Sequence, residues 1–164
     1  EPPPAGRPPP GAPLDWSPVL APLATASSLY VVGRGLALGA AGELALKLKE
    51  TCQLHAEAFS TAEVLHGPVA LVGAGFPVIA LGQDDETAAG TRELITRLVG
   101  LGAAVWSVLD VDGARRLEVV PDLPPVLAPL CQIQTGYLAV PGLAAARGLD
   151  PDAPAHLRKV TETV

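Results

Sequence analysis

The chain has 164 residues, 49% of them hydrophobic, 17% charged and 4% aromatic, with a formal net charge of −6 and a pI near 4.9. One domain is expected at this length, and with so few aromatics its core has to be built from Ala, Leu and Val. The acidic balance argues against nucleic acid, which is bound through a basic face, and against an anionic membrane surface.

The chain opens on Glu1 and contains no methionine, which reads as a domain or tail excised from a longer chain. No basic-then-apolar signal segment stands at the start. Residues 1–13, EPPPAGRPPPGAP, have no apolar period and read as a Pro-rich extended arm. The domain boundary is set after residue 27, so that 1–27 form a linker or arm and 28–164 the domain. Within the arm, LDWSPVLAPLATA reads as a short helix broken by Pro18 and Pro22.

SLYVVG, residues 28–33, is β-branched and apolar and predicts a buried strand ending in Gly33-Arg34-Gly35. Residues 38–53 are rich in Ala, Leu, Glu and Lys and predict a helix. Residues 54–75 read as irregular, with helical turns near 60–65 and 68–72. A second strand is expected at 76–82 and a helix at 85–102, with Asp85 as its cap and Gly100 closing it. Further strands are expected at 103–110 and 116–121, and a long helix broken near Pro141 at 126–147. The last stretch, DPDAPAHLRKVTETV, is polar and lacks a core period.

Apolar strands alternating with helices imply an α/β fold, a mainly parallel sheet in a three-layer α/β/α sandwich. Ligands then bind beyond the carboxyl ends of the strands. Residues 123–146 carry no charge over 24 positions, long enough to span a bilayer. Gln132, Gln134, Thr135, Gly136, Pro129 and Pro141 within it favour a helix buried in a core or subunit interface, with no membrane. Cys52 and Cys131 are too few for a disulfide framework and read as small buried hydrophobes in a reducing, cytoplasmic compartment.

The charges concentrate in GELALKLKETCQLHAEAFSTAEVLHGP, residues 42–68, which holds four glutamates, two lysines and two histidines. Glu43, Lys47 and Glu50 stand at i, i+4 and i+7 and share one helix face. Three readings compete. A solvated stripe with a Glu43–Lys47 pair is the plainest, worth a few tenths of a kcal/mol. A metal site would use His55, Glu57, Glu63 and His66, but their spacing matches no zinc pattern and no second thiol completes a shell. Acid–base work on a carbon substrate would combine a carboxylate, a histidine and an amine.

The same residues carry a resemblance. GRGLALGAAGELALKLKETCQLHAEAFSTAEVLHGPVALV, residues 33–72, resembles the second sugar-isomerase (SIS) domain of the glucosamine-6-phosphate synthase and phosphosugar isomerase family. The matching motifs are the Gly-Arg-Gly strand end, E-x-A-L-K-L-K-E, H-A-E-A and E-x-x-H-G-P. The tail LDPDAPAHLRKVTETV resembles the family's D-x-D-x-P-x-x-L-x-K ending. The resemblance covers residues 28–164 in order.

It implies an aldose–ketose isomerase acting on amino-sugar phosphates without a cofactor. Glu50 would carry the proton between C1 and C2, His66 would open the sugar ring, and Lys159 would form a Schiff base with the ketose carbonyl. Glu43 and Lys47 would line the pocket, and Arg158 could lower the Lys159 pKa. One base that reaches both carbons suits an enediol or enolamine step, histidine suits proton exchange near neutrality, and an attacking amine must be deprotonated. The family's S-x-S-G-x-T phosphate loop is absent here; ASSLYVV and AFSTAE do not match it. The resemblance therefore implies a second SIS domain carrying that loop, and a homodimer in which the histidine comes from a neighbour. A deaminase of two SIS domains and a non-catalytic sugar-phosphate sensor are the alternatives.

Overall fold

The computed structural model describes residues 14–157. Five parallel strands form one sheet in the order β2-β1-β3-β4-β5. They are β1 (Ser28–Gly33), β2 (His55–Ser60), β3 (Pro77–Ala80), β4 (Ala104–Ser107) and β5 (Arg115–Arg116). The helices are α1 (Ser17–Leu20), α2 (Leu36–Cys52), α3 (Ala88–Gly100) and α4 (Ala128–Ala146).

Chain direction explains the layers. The β1–α2–β2 crossover moves one way from the centre of the sheet and β3–α3–β4 moves the other. Parallel crossovers are right-handed, so opposite directions put α2 and α3 on opposite faces. The result is the three-layer α/β/α sandwich that the alternating pattern implied.

β1 lies between β2 and β3, so both its edges are paired and its residues 29–33 are buried. Ala40, Ala41, Leu44, Ala45 and Leu48 form the inner face of α2. α4 packs on α2, where Cys52 Sγ donates to the Val140 carbonyl at 3.5 Å. Trp16, Leu20 and Leu23 are also core residues, each 1% exposed. Indole Nε1 of Trp16 donates to the Glu118 carbonyl at 2.7 Å. The described part of the expected arm, residues 14–27, is thus packed on the domain. Arg147 follows α4 and donates to the carbonyls of Cys52 at 2.7 Å, Ala24 and Ala26 at 2.9 Å, and Leu23 at 3.3 Å.

Several local expectations change. Residues 55–60 form an edge strand, where the sequence read as irregular. Only Ala56 in β2 is fully buried, so its apolar content is too low to announce a strand. The two helical turns beyond it are present as Val64–His66 and Pro68–Leu71. The strand expected at 116–121 is the short pair β5, matched Trp106 to Arg115 and Ser107 to Arg116. α3 begins at Ala88, after Thr87 rather than after Asp85. Asp85 acts one turn earlier, its Oδ1 accepting from the Thr87 amide at 2.8 Å. α4 continues through Pro141 to Ala146. Among the described residues no helix is long and apolar enough to cross a membrane.

Candidate active site

Two places in the fold could host chemistry. The first is the charged stripe of α2. Lys47 Nζ stands 2.6 Å from Glu50 Oε2 and 3.7 Å from Glu43 Oε1. The helical repeat puts all three on the face away from Leu44 and Leu48. Tyr137 of α4 donates from its hydroxyl to Glu43 Oε1 at 2.5 Å. The four side chains form a chain of contacts, Tyr137–Glu43–Lys47–Glu50, between two packed helices. Beside it runs a groove of about 470 Å³ lined by Lys47, Thr51, Tyr137 and, from the tail, Pro151 and Asp152.

The Glu50 hydrogen bond holds the Lys47 ammonium above its ordinary pKa; partial burial works against this, and the charges of Glu50 and Glu43 add to it. Lys47 is therefore a fixed cation at neutral pH, suited to orienting a carboxylate and unsuited to nucleophilic attack. The hydrogen bond to Glu43 likewise raises the phenol of Tyr137.

The other residues singled out from the sequence stand elsewhere. α2 descends from the carboxyl end of β1 to the amino end of β2, and Glu50 lies near its foot. His66 comes six residues after Ser60, the carboxyl end of β2, and is exposed. No hydrogen bond or ion pair joins His66 to Glu43, Lys47 or Glu50 among the described residues. Its turn is anchored by Tyr30, whose hydroxyl donates to the Pro68 carbonyl at 3.0 Å, and closed by Glu63, which accepts from the Ser60 amide at 3.4 Å. Arg158 and Lys159 lie outside the described residues.

The second place is the carboxyl edge of the sheet. A cavity of about 360 Å³ opens beyond β3 and β4, between the loop after β3 and α4. None of the expected catalytic or substrate-binding residues lines it among the described residues. The crevice between β1 and β3, where strand order reverses, is filled. Gln83 Nε2 there donates to the Arg34 carbonyl at 3.2 Å, and a Cβ at Gly35 would meet the Thr87 side chain at 3.3 Å. Tyr137 and Gln132 are not among the expected site residues, because they sit in an uncharged run that reads as buried helix. One Tyr and two Gln, Gln132 and Gln134, inside such a run are the available signals.

A parallel sheet with helices on both faces defines a doubly wound α/β domain. The SIS domain family model matches residues 22–113. Over 137 residues the chain is 39% identical to the glutamine–fructose-6-phosphate aminotransferase (isomerizing) of Pyrobaculum aerophilum, covering 80% of this chain and 23% of that protein. It is 36% identical over 142 residues to the corresponding protein of Sulfurisphaera tokodaii, covering 84% of this chain and 23% of that one. Among solved structures, a Silicibacter pomeroyi protein assigned as a phosphosugar isomerase superposes with a TM-score of 0.77 at 41% identity, covering 85% of this chain and 43% of that one. The C-terminal domain of glucosamine-fructose-6-phosphate aminotransferase from Francisella tularensis gives 0.76 at 27%, covering 82% and 40%. This chain belongs to the SIS-domain family. It spans about a quarter of the length of the curated relatives it matches.

Proposed function

We propose that this chain carries the proton-transferring half of a sugar-phosphate isomerase acting between fructose-6-phosphate and glucosamine-6-phosphate. The observation behind the reading is the 2.6 Å contact between Lys47 and Glu50 on a rigid helix. It fixes a carboxylate beside a groove that the tail also lines.

In this reading Glu50 removes a proton from one carbon of the open-chain substrate and returns it to the neighbouring carbon. Lys47 keeps the carboxylate aimed, and Glu43 and Tyr137 keep Lys47 in place. Lys159 attacks the ketose carbonyl, the adduct loses water to form the imine, and ammonia from an amino donor then displaces the lysine amine, leaving the substrate imine that Glu50 isomerises. Arg158 beside it favours the neutral amine, because a second cation disfavours ammonium. The tail passes the groove at Pro151 and Asp152, and Lys159 follows Asp152 by seven residues in the sequence. His66 serves a neighbouring copy in a homodimer, since α2 and the β2 loop place Glu50 and His66 toward opposite ends of the sheet. A second SIS domain supplies the phosphate loop.

The alternative is a protein of two SIS domains working as an isomerase or deaminase without an amidotransferase. The Silicibacter pomeroyi chain supports it, because this chain covers 43% of that one.

The deciding experiment uses the full-length protein carrying this chain, with Glu50→Gln. Fructose-6-phosphate and glucosamine-6-phosphate are incubated in deuterated water and carbon-bound deuterium is followed. Loss of a positioned base is expected to slow exchange by about 10²–10⁴-fold. Undiminished exchange in the variant would remove Glu50 from the role.

A further inference from the structure

The outer face of α4 is apolar where the outer face of a helix is ordinarily charged. Residues 123–146 carry no charged side chain, so α4 has none. A helix on the outside of a globular domain turns charged and polar residues to water. At about 100° per residue, Leu130, Gln134, Tyr137, Leu138 and Pro141 fall within about 100° of arc on one face, and all five are exposed. Leu130 is 67% exposed and Leu138 63%. Single apolar residues are ordinary on a surface, but a whole face of them marks a contact surface. Nothing among the described residues covers it.

Tyr137 fixes where this face leads. Its hydroxyl is bonded to Glu43, so the face runs up to the Glu43–Lys47–Glu50 stripe and to the groove beside it. Whatever covers Leu130 and Leu138 therefore stands next to that groove.

Length and charge select the occupant. The Silicibacter pomeroyi and Francisella tularensis chains match 85% and 82% of this chain, yet this chain covers only 43% and 40% of them. Each has more than half its length left, enough for a further domain of similar size. A second copy of this chain fits less well. Its net charge is −6. A two-fold contact through Tyr137 would also bring together two stripes that each set two glutamates against one lysine, and like charges facing across an interface oppose it.

We infer that the Leu130–Leu138 face of α4 is the docking surface for a second domain of the same polypeptide, and that the docked domain forms the outer wall of the α2–α4 groove. This is the seat of the phosphate-loop domain and rests on that part of the proposed function. It does not depend on Glu50 being the base.

The test uses the full-length protein with photo-reactive benzoylphenylalanine in place of Leu130, and separately in place of Leu71, which is 70% exposed on the η-turn after β2. Irradiation is expected to join position 130, within one polypeptide, to a segment outside these 164 residues. Position 71 is expected to give no such product. A product of dimer mass from position 130, a link confined to these 164 residues, or no link at all would overturn the inference. A link to the second domain from position 71 alone would also overturn it, while leaving the two-domain reading intact. The same link is expected in Glu50→Gln, so loss of this seat and loss of the Glu50 role are read separately. Should the replacement at 130 fail to fold, hydroxyl-radical oxidation of the wild-type protein decides. Leu130 and Leu138 are expected to oxidise roughly tenfold more slowly than Leu71, as residues in an interface core do, and equal rates would overturn the inference.

Discussion

Tyr137 hydrogen-bonds Glu43 at 2.5 Å across 94 positions of sequence, tying the last helix to the charged stripe of α2. The carboxylate holds the phenol above the ordinary tyrosine range. Glu43→Gln removes that charge, so Tyr137 is expected to form phenolate at lower pH in the variant. The measurement is a difference titration between proteins with Tyr137 and with Tyr137→Phe. An unchanged titration would mean the bond is not made in solution.

Lys47 gives a stability prediction with a definite sign. Its pKa is raised above 10.5, first by the Glu50 hydrogen bond. A raised folded-state pKa contributes stability that is complete below 10.5 and lost as pH climbs through the folded value. In a Tyr137→Phe background, the urea midpoint is expected to fall more steeply above pH 10.5 with Lys47 than with Lys47→Met. The Lys47 and Glu50 side chains are 31% and 30% exposed, so the difference should shrink in high salt.

Gly33 is required where β1 turns into α2. A Cβ there would stand 2.5 Å from the Ala37 carbonyl oxygen, which is backbone and cannot swing aside. Gly33→Ala is expected to cost about 2 kcal/mol or more, read from denaturant unfolding. Gly42 is the control: within α2, a Cβ there meets nothing within 4 Å. Gly42→Ala should stabilise by roughly 0.5–1 kcal/mol.

Burial pushes the Cys52 thiol up to about 11, and the Arg147 charge only partly opposes it. Cys52 is therefore expected to resist a thiol reagent at neutral pH until the chain unfolds. Cys131, which is only partly buried, should be labelled first. Mass mapping of the modified peptides checks the order.

The sequence made the layered fold readable because its central strands are saturated with buried apolar residues, as in SLYVVG. β2 escaped notice for the opposite reason. An edge strand with one neighbour needs little apolar content, and His55 and Glu57 were exposed and drew the eye to their charges. The α2 stripe was legible from helical spacing alone. The role of Tyr137 was not, since it depends on how α4 crosses α2. The carboxyl-edge cavity was hidden for a similar reason: Gln83 and Gln132 are 49 residues apart and meet only through the packing of α4 over the β3 loop.

Arg147 bonds to the entry turn at Leu23, Ala24 and Ala26 and to the foot of α2 at Cys52, two residues beyond Glu50. One guanidinium is thus a shared latch for the incoming chain, the outgoing chain and the helix bearing the charged stripe. The two ends of the described domain are joined through one side chain at the foot of α2. Arg147→Ala is therefore expected to loosen all three segments at once.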